Sequence, residues 1–453
     1  TWLSEVVAAD PRCRPRHDAA ALLTVSWAYQ LLGDVPRQQE TALAAGRRAR
    51  EDGAYVLLAE AALSRAGSGP AGVADPETAE LLDSALALLP SDDVAQRSRL
   101  MGMRAYYLLN YEGNGAEARK ASLEALAVAR RADDVEAVAD ALSGRLFVLL
   151  AGSDVLEQMA AAEELRSLVA QLPPARAGDV WAGLQRNLGV LRLQLADRGG
   201  FAACHEEIRS LGTLSHSWLL SAIATMWDGV AALLDGDPEL ARRHAVGIAA
   251  QSDESNLRAS GTAQLTVAHR WQGTLAAVVA DVAVEAAAEP EQPLASSTAA
   301  VVGALVGDPR ATAALDAVLR RSPPFIDDST LAAQLATLIE ACALLGRDVP
   351  ESAVTALRPF AGQLLVLSWG VDVLGAADRF LAVTAARTGD RAAAAAGFDR
   401  AVELEERLSA ALPLRSRVWR EALLGDVTSP ELPPALAGLA TEADVLRAHP
   451  SVG

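Results

Sequence analysis

Gly389 is followed at +5, +9 and +12 by Ala394, Phe398 and Ala401, and the same figure recurs along the chain. Gly236 leads Ala241, Ala245 and Ile248, Gly113 leads Ala118, Ser122 and Ala125, and Gly33 leads Gln38, Ala42 and Ala45. These offsets fall on one stripe of a helix, and small side chains there let a neighbouring helix approach closely. The glycine itself supplies the positive φ that ends the helix before it. Pro36 and Pro238 stand in the first turn of the second helix, where a missing N–H costs nothing. Looser copies start at Gly67, Gly152, Gly199, Gly273, Gly307 and Gly346, so the ten glycines lie 34, 46, 39, 47, 37, 37, 34, 39 and 43 residues apart. Such a period predicts helical pairs stacked in a row, each sheltering its apolar side against the next. The expected fold is all-α, a right-handed α-solenoid of about ten helical hairpins.

Composition agrees. Half of the 453 residues are hydrophobic, aromatics are few, and Ala and Leu, both good helix formers, dominate. Alternation suited to β-strands is hard to find. Gly/Pro-rich breaks at 65–77, 286–297, 320–328 and 425–434 are too short for disordered linkers and read as inter-repeat loops. They divide the chain into an N-terminal part of the array (1–285), a C-terminal part (286–424), and a loop with a terminal capping helix (425–453). Thr1 is not an initiator Met, as expected of a piece of a longer protein, and the first residues read as helix.

The net charge of −18 repels phosphate backbones, so no direct nucleic-acid binding is expected. Cys13, Cys204 and Cys342 stand far apart with no CxxC pair, which suits a reducing, cytoplasmic setting. The N-terminus lacks the basic and apolar regions of a signal peptide, and "LASSTAAVVGALVG" (294–307) is too short to span a bilayer.

The unit resembles the tetratricopeptide repeat, whose second helix carries this Gly…Ala…aromatic…Ala spacing. The stretch "EARKASLEALAVARRADDVEAVADALSGRLFVLL" and the block from "LRPFAGQLLVLSWGVDVLGAADRF" to "DRAVELEERLSA" are similar to the degenerate helical array of large actinobacterial regulators. In those proteins an ATPase module, sometimes linked to a nucleotide cyclase, precedes the array, and a LuxR-type DNA-binding domain often follows. Neither module is present here. The resemblance implies the regulatory arm of a transcriptional or signalling regulator, with an ATPase module in the parent protein.

Catalytic motifs are missing. Lys120, the one lysine, stands in "EARKASLE" without the glycines of a phosphate-binding loop. "HEEIR" (205–209) imitates a zinc-protease helix, but Arg209 replaces the second histidine, so a solvated face is expected. The other histidines are single, and carboxylates such as those of "ELEER" (403–407) suit surface pairs with Arg. No catalytic residue, cofactor or metal is therefore assigned.

What remains is surface. With the turn glycine counted as position 15 of a tetratricopeptide-like unit, positions 5, 9, 12 and 13 point into the concave groove. This selects Met103, Tyr107, Asn110, Tyr111, Arg270, Trp271, Arg379, Val383 and Arg387. Tyr, Trp and Arg dominate binding hot spots, yet aromatics at helical spacing also build cores, and both readings stand. Trp227 and Trp369, among apolar neighbours, read as core. The expected function is a non-catalytic binding or sensor scaffold that takes a protein, a peptide or a small effector in its groove. An enzyme with a solenoid cavity for a small hydrophobic substrate is the alternative. A structural oligomerisation arm is a third possibility, marked by a flat apolar strip on an end helix.

Overall fold

The structure, a computed structural model, describes residues 18–67, 72–132, 134–150, 152–251 and 255–449. Cys13 and the expected helix at the N-terminus lie outside these residues. The described chain is all-helical, with 22 α-helices and a single pair of short strands. No helix among them is long and apolar enough to cross a membrane.

The glycine figure governs local structure. Gly33, Gly113, Gly236, Gly273, Gly307, Gly346 and Gly389 all take positive φ at helix ends. Gly67, Gly152 and Gly199 do not: Gly67 ends its helix with φ −77°, and Gly199 lies in the first turn of the helix Arg198–Ser215. The twelve residues at +5, +9 and +12 of the four best copies are all buried. The alanine-rich stretch after Gly389 is a packing seam.

Up to about residue 272 each helix packs mainly on the next in sequence. The first helices of successive pairs also touch one another: Val94–Asn110 meets Val135–Leu149, which meets Pro174–Gln194. At the first crossing two glycines face each other, and a Cβ on Gly144 would stand 3.2 Å from the Gly102 Cα. That close approach brings the side chains one turn further on, Tyr106 and Phe147, together.

The second half departs from a simple row. Helix Leu331–Leu344 is buried at every residue from Ala332 onward. Its sequence, LAAQLATLIEACAL, is apolar but for Gln334, Thr337 and Glu340, and a helix with so few polar side chains must be enclosed. Helices Pro293–Val306, Ala377–Arg387 and Gly438–Ala448 pack against it.

A second departure is the hairpin Leu364–Val366 and Val373–Ala376, in a segment expected to be helical. The strands are antiparallel, pairing Leu364 with Ala376 and Val366 with Val373, with an irregularity after Leu365. Gly370 at the tip has φ +81°. The apolar run "LLVLSWGVDVLGA" lets both strands be buried on both sides, which masks the alternation of a half-exposed strand.

Distant segments are tied together. The Trp218 indole N–H donates to the Gln30 carbonyl (3.1 Å), the Gly115 amide to that of Asp327 (2.8 Å), and the Gln363 side chain to that of Ser153 (2.7 Å). Arg119 pairs with the Asp327 carboxylate at 2.7 Å. The loop before helix 331–344 and the hairpin therefore both rest on the first half of the chain.

Candidate functional site

Seven of the nine expected groove residues are buried: Tyr107, Asn110, Tyr111, Trp271, Val383 and Arg379 outright, and Arg270 nearly so. The Tyr107 hydroxyl donates to the Asp75 carbonyl and accepts from its amide, both at 2.7 Å. Asn110 bonds the Tyr106 carbonyl, and Tyr111 packs on Tyr107 at 4.8 Å between ring centroids. Trp271 and Val383 belong to the largest apolar core. Met103 and Arg387 keep partial exposure, and Arg387 donates to the His449 carbonyl. Side chains sealed in this way hold the fold.

Arg270 belongs to a buried four-membered ring of charges. It donates to Glu442 at 2.7 Å and Glu340 at 2.9 Å, while Arg415 donates to Glu340 at 2.5 Å and Glu442 at 3.0 Å. The Trp419 indole N–H adds a 2.6 Å bond to Glu442. Burial pushes the Glu442 carboxyl up, but the two arginines outweigh it and hold it at about 2. Arg379 pairs with Glu405 at 3.3 Å and also donates to the Leu374 carbonyl. Gly375 beside it has φ +119°, a conformation that L side chains rarely adopt. Glu405 is further held by the Ala376 amide (2.9 Å) and the Ser416 hydroxyl (2.7 Å). These charges answer one another, and they anchor the hairpin and the last helix to helix 331–344.

Asp372 stands beside this ring, and burial pushes its carboxyl up to about 6 against the pull of Arg415 and Arg270. Asp328, bonded by Thr330 and Gln334, is likewise pushed up by burial to about 6. An acid whose pKa is raised on folding binds its proton more tightly in the native state than in the unfolded chain, where Asp titrates near 4. Its stabilising contribution is complete below the unfolded pKa and is lost as pH rises through about 6. The urea midpoint therefore gains from these two groups between pH 7 and 5, and Asp372→Asn removes roughly half of that gain. Equal pH slopes in variant and wild type would show that Asp372 is not held protonated.

The constellation that sequence reasoning missed lies on the first-helix layer. The Arg186 guanidinium, on helix 174–194, lies over two rings, 4.5 Å from the Phe147 centroid and 4.3 Å from that of Trp369. Tyr106 meets Phe147 edge-to-face at 5.6 Å. Trp369, expected in the core, is instead half-buried at the hairpin tip. The tip is positioned by the Trp227 indole N–H on the Trp369 carbonyl (3.0 Å) and the Gln264 side chain on the Val371 carbonyl (2.9 Å).

Arg186 is 8% exposed and makes no ion pair or hydrogen bond among the described residues, and its Nε is sealed without an acceptor. Burial draws its guanidinium down to about 10. Cation–π stacking on two rings returns about 2 kcal/mol per ring when desolvated, against several for taking the ion out of water. The rings also supply no lone pair, so the guanidinium N–H donors are left without a hydrogen-bond acceptor among the described residues.

Register explains the miss. Tyr106, not Tyr107, faces the cluster, and one residue turns a helix by about 100°. In the zinc-like stretch, His205 turns inward: it is buried, with a ring nitrogen 3.0 Å from the Ala224 carbonyl, so the expected solvated face is corrected there. Among the described residues no group of three or more His, Cys, Asp or Glu is placed to hold a metal. Cys204 and Cys342 are buried thiols pushed up to about 11 and 12. Comparison with protein-family models and with curated proteins finds no match to this chain.

Proposed function

We propose that the chain is a non-catalytic binding arm, a right-handed superhelical array whose first helices present a concave face to a small effector. The observation that carries this reading is a run of contacts from Tyr106 to Phe147 to Arg186, on three successive first helices, and on to Trp369 at the hairpin tip. Partly buried aromatics beside a cation are a residue set that dominates recognition. Asp372 and Asp328, whose carboxyls burial pushes up to about 6, sit at the hairpin turn and in the loop before helix 331–344, where they serve packing. The hairpin also touches helices 174–194, Trp218–Leu234 and Ser255–Gln272, so an occupant at its tip would bias several repeats at once. In a parent regulator like those the sequence resembles, that bias would reach the ATPase module.

Equilibrium dialysis against a cytosolic small-molecule extract, read by mass spectrometry, tests the reading. Wild type retains at least one compound, and a folded Tyr106→Ala, Trp369→Ala double variant loses it. Equal retention by both proteins, or none by wild type, contradicts it. Arg270 and Trp271 are unsuitable for this test, because both are core.

A further inference from the structure

The described chain buries five arginines, and four of them meet a carboxylate: Arg65 with Asp75, Arg145 with Glu157, Arg379 with Glu405, and Arg415 with Glu340 and Glu442. Arg186 is the exception, in a chain where acidic residues outnumber basic ones by 58 to 40. A fold so rich in carboxylates that leaves one buried guanidinium without any has kept its charge for something else.

The surroundings say what. Phe147 and Trp369 bring their rings to 4.5 and 4.3 Å from the guanidinium carbon but offer no lone pair in the plane of its N–H groups, so those donors still call for an acceptor. A flat fork of donors matches two oxygens of one oxyanion. One turn earlier on the same helix, Gly183 opens onto free space: a Cβ built there meets nothing within 4 Å. The apolar rings would take the body of the molecule that carries the oxyanion.

We infer that Arg186, held against Phe147 and Trp369, anchors a binding site for a small molecule bearing a carboxylate or phosphate group. This rests on the binding-arm reading and gives its effector a chemical class. The oxyanion would bond edge-on to the guanidinium, with the rings excluding water from the pair.

The test is a calorimetric titration of the whole chain with benzoate, with its neutral counterpart benzamide, and with inorganic phosphate. Wild type binds benzoate or phosphate saturably, which tells a carboxylate site from a phosphate site. If benzoate is the ligand, it exceeds benzamide by about tenfold or more, as expected for a charge-assisted bidentate contact. In Arg186→Gln, checked for folding by circular dichroism, affinity for the anion falls by about the same factor. Trp369→Leu, which leaves the guanidinium in place, is the second variant should Arg186→Gln not fold, and it weakens the anion by severalfold. Equal binding of benzoate and benzamide, an unchanged anion affinity in the variants, or no saturable binding of either anion overturns the inference. The binding-arm reading survives those outcomes if dialysis still retains a compound that the double variant loses, so the two failures are distinct.

Discussion

Arg415→Met destabilises the chain by about 3–5 kcal/mol, because it leaves Glu340 and Glu442 sharing a buried site with one arginine. The ring of Arg270, Glu340, Arg415 and Glu442 joins four helices, and both carboxylates are essentially without solvent. Methionine replaces the volume of the stem but none of the charge, and water cannot enter to compensate. The loss is thus set by the stranded carboxylates more than by the pair's own attraction. A second substitution, Glu442→Gln, recovers part of the stability lost to Arg415→Met by removing one stranded charge. Urea unfolding of the two single variants and the double variant checks this. A cost within about 0.5 kcal/mol, the usual range for surface substitutions, would mean the ring is solvated and does not hold the fold.

Gly438→Ala is expected to cost about 2–3 kcal/mol, the upper part of the range for overpacking. A Cβ at Gly438 would stand 1.8 Å from the Arg270 carbonyl oxygen and 2.8 Å from the Gly273 amide nitrogen. Both are backbone atoms at the end of helix 255–272, so no rotamer change relieves the clash. The last helix must back away, and Glu442, four residues on, is drawn off Arg270 with it. Amide exchange across 438–448 should rise well before that of helix 331–344. Wild-type exchange in the last helix would show that it does not dock through this glycine.

Much of the architecture was legible because it is periodic. The stripe after Gly33, Gly113, Gly236 and Gly389 marks the buried seam at every position, since side chains at those offsets share one helix face. The run "LAAQLATLIEACAL", apolar but for Gln334, Thr337 and Glu340, marks the departure from a simple row, which the glycine period does not show, as only an enclosed helix can bury Leu335, Leu338 and Ile339 along with Ala333 and Ala336. The hairpin was hidden, because doubly buried strands of three and four residues show no alternation. The site was the least legible. Arg186 is one of many arginines, and nothing local distinguishes it; what sets it apart is the lack of a carboxylate and the arrival of Trp369 from a remote hairpin. The charged ring is equally invisible, because its members share no spacing.

The central claim, that a ligand settles where the hairpin tip meets the first helices, is tested most directly by hydrogen exchange on the free chain and on the chain saturated with its retained compound. Protection is expected around Tyr106, Phe147, Arg186 and residues 366–371, on first helices and hairpin alone. Protection confined to the second helices Gly115–Arg131, Val155–Val169 and 198–215, with the hairpin unchanged, would contradict it.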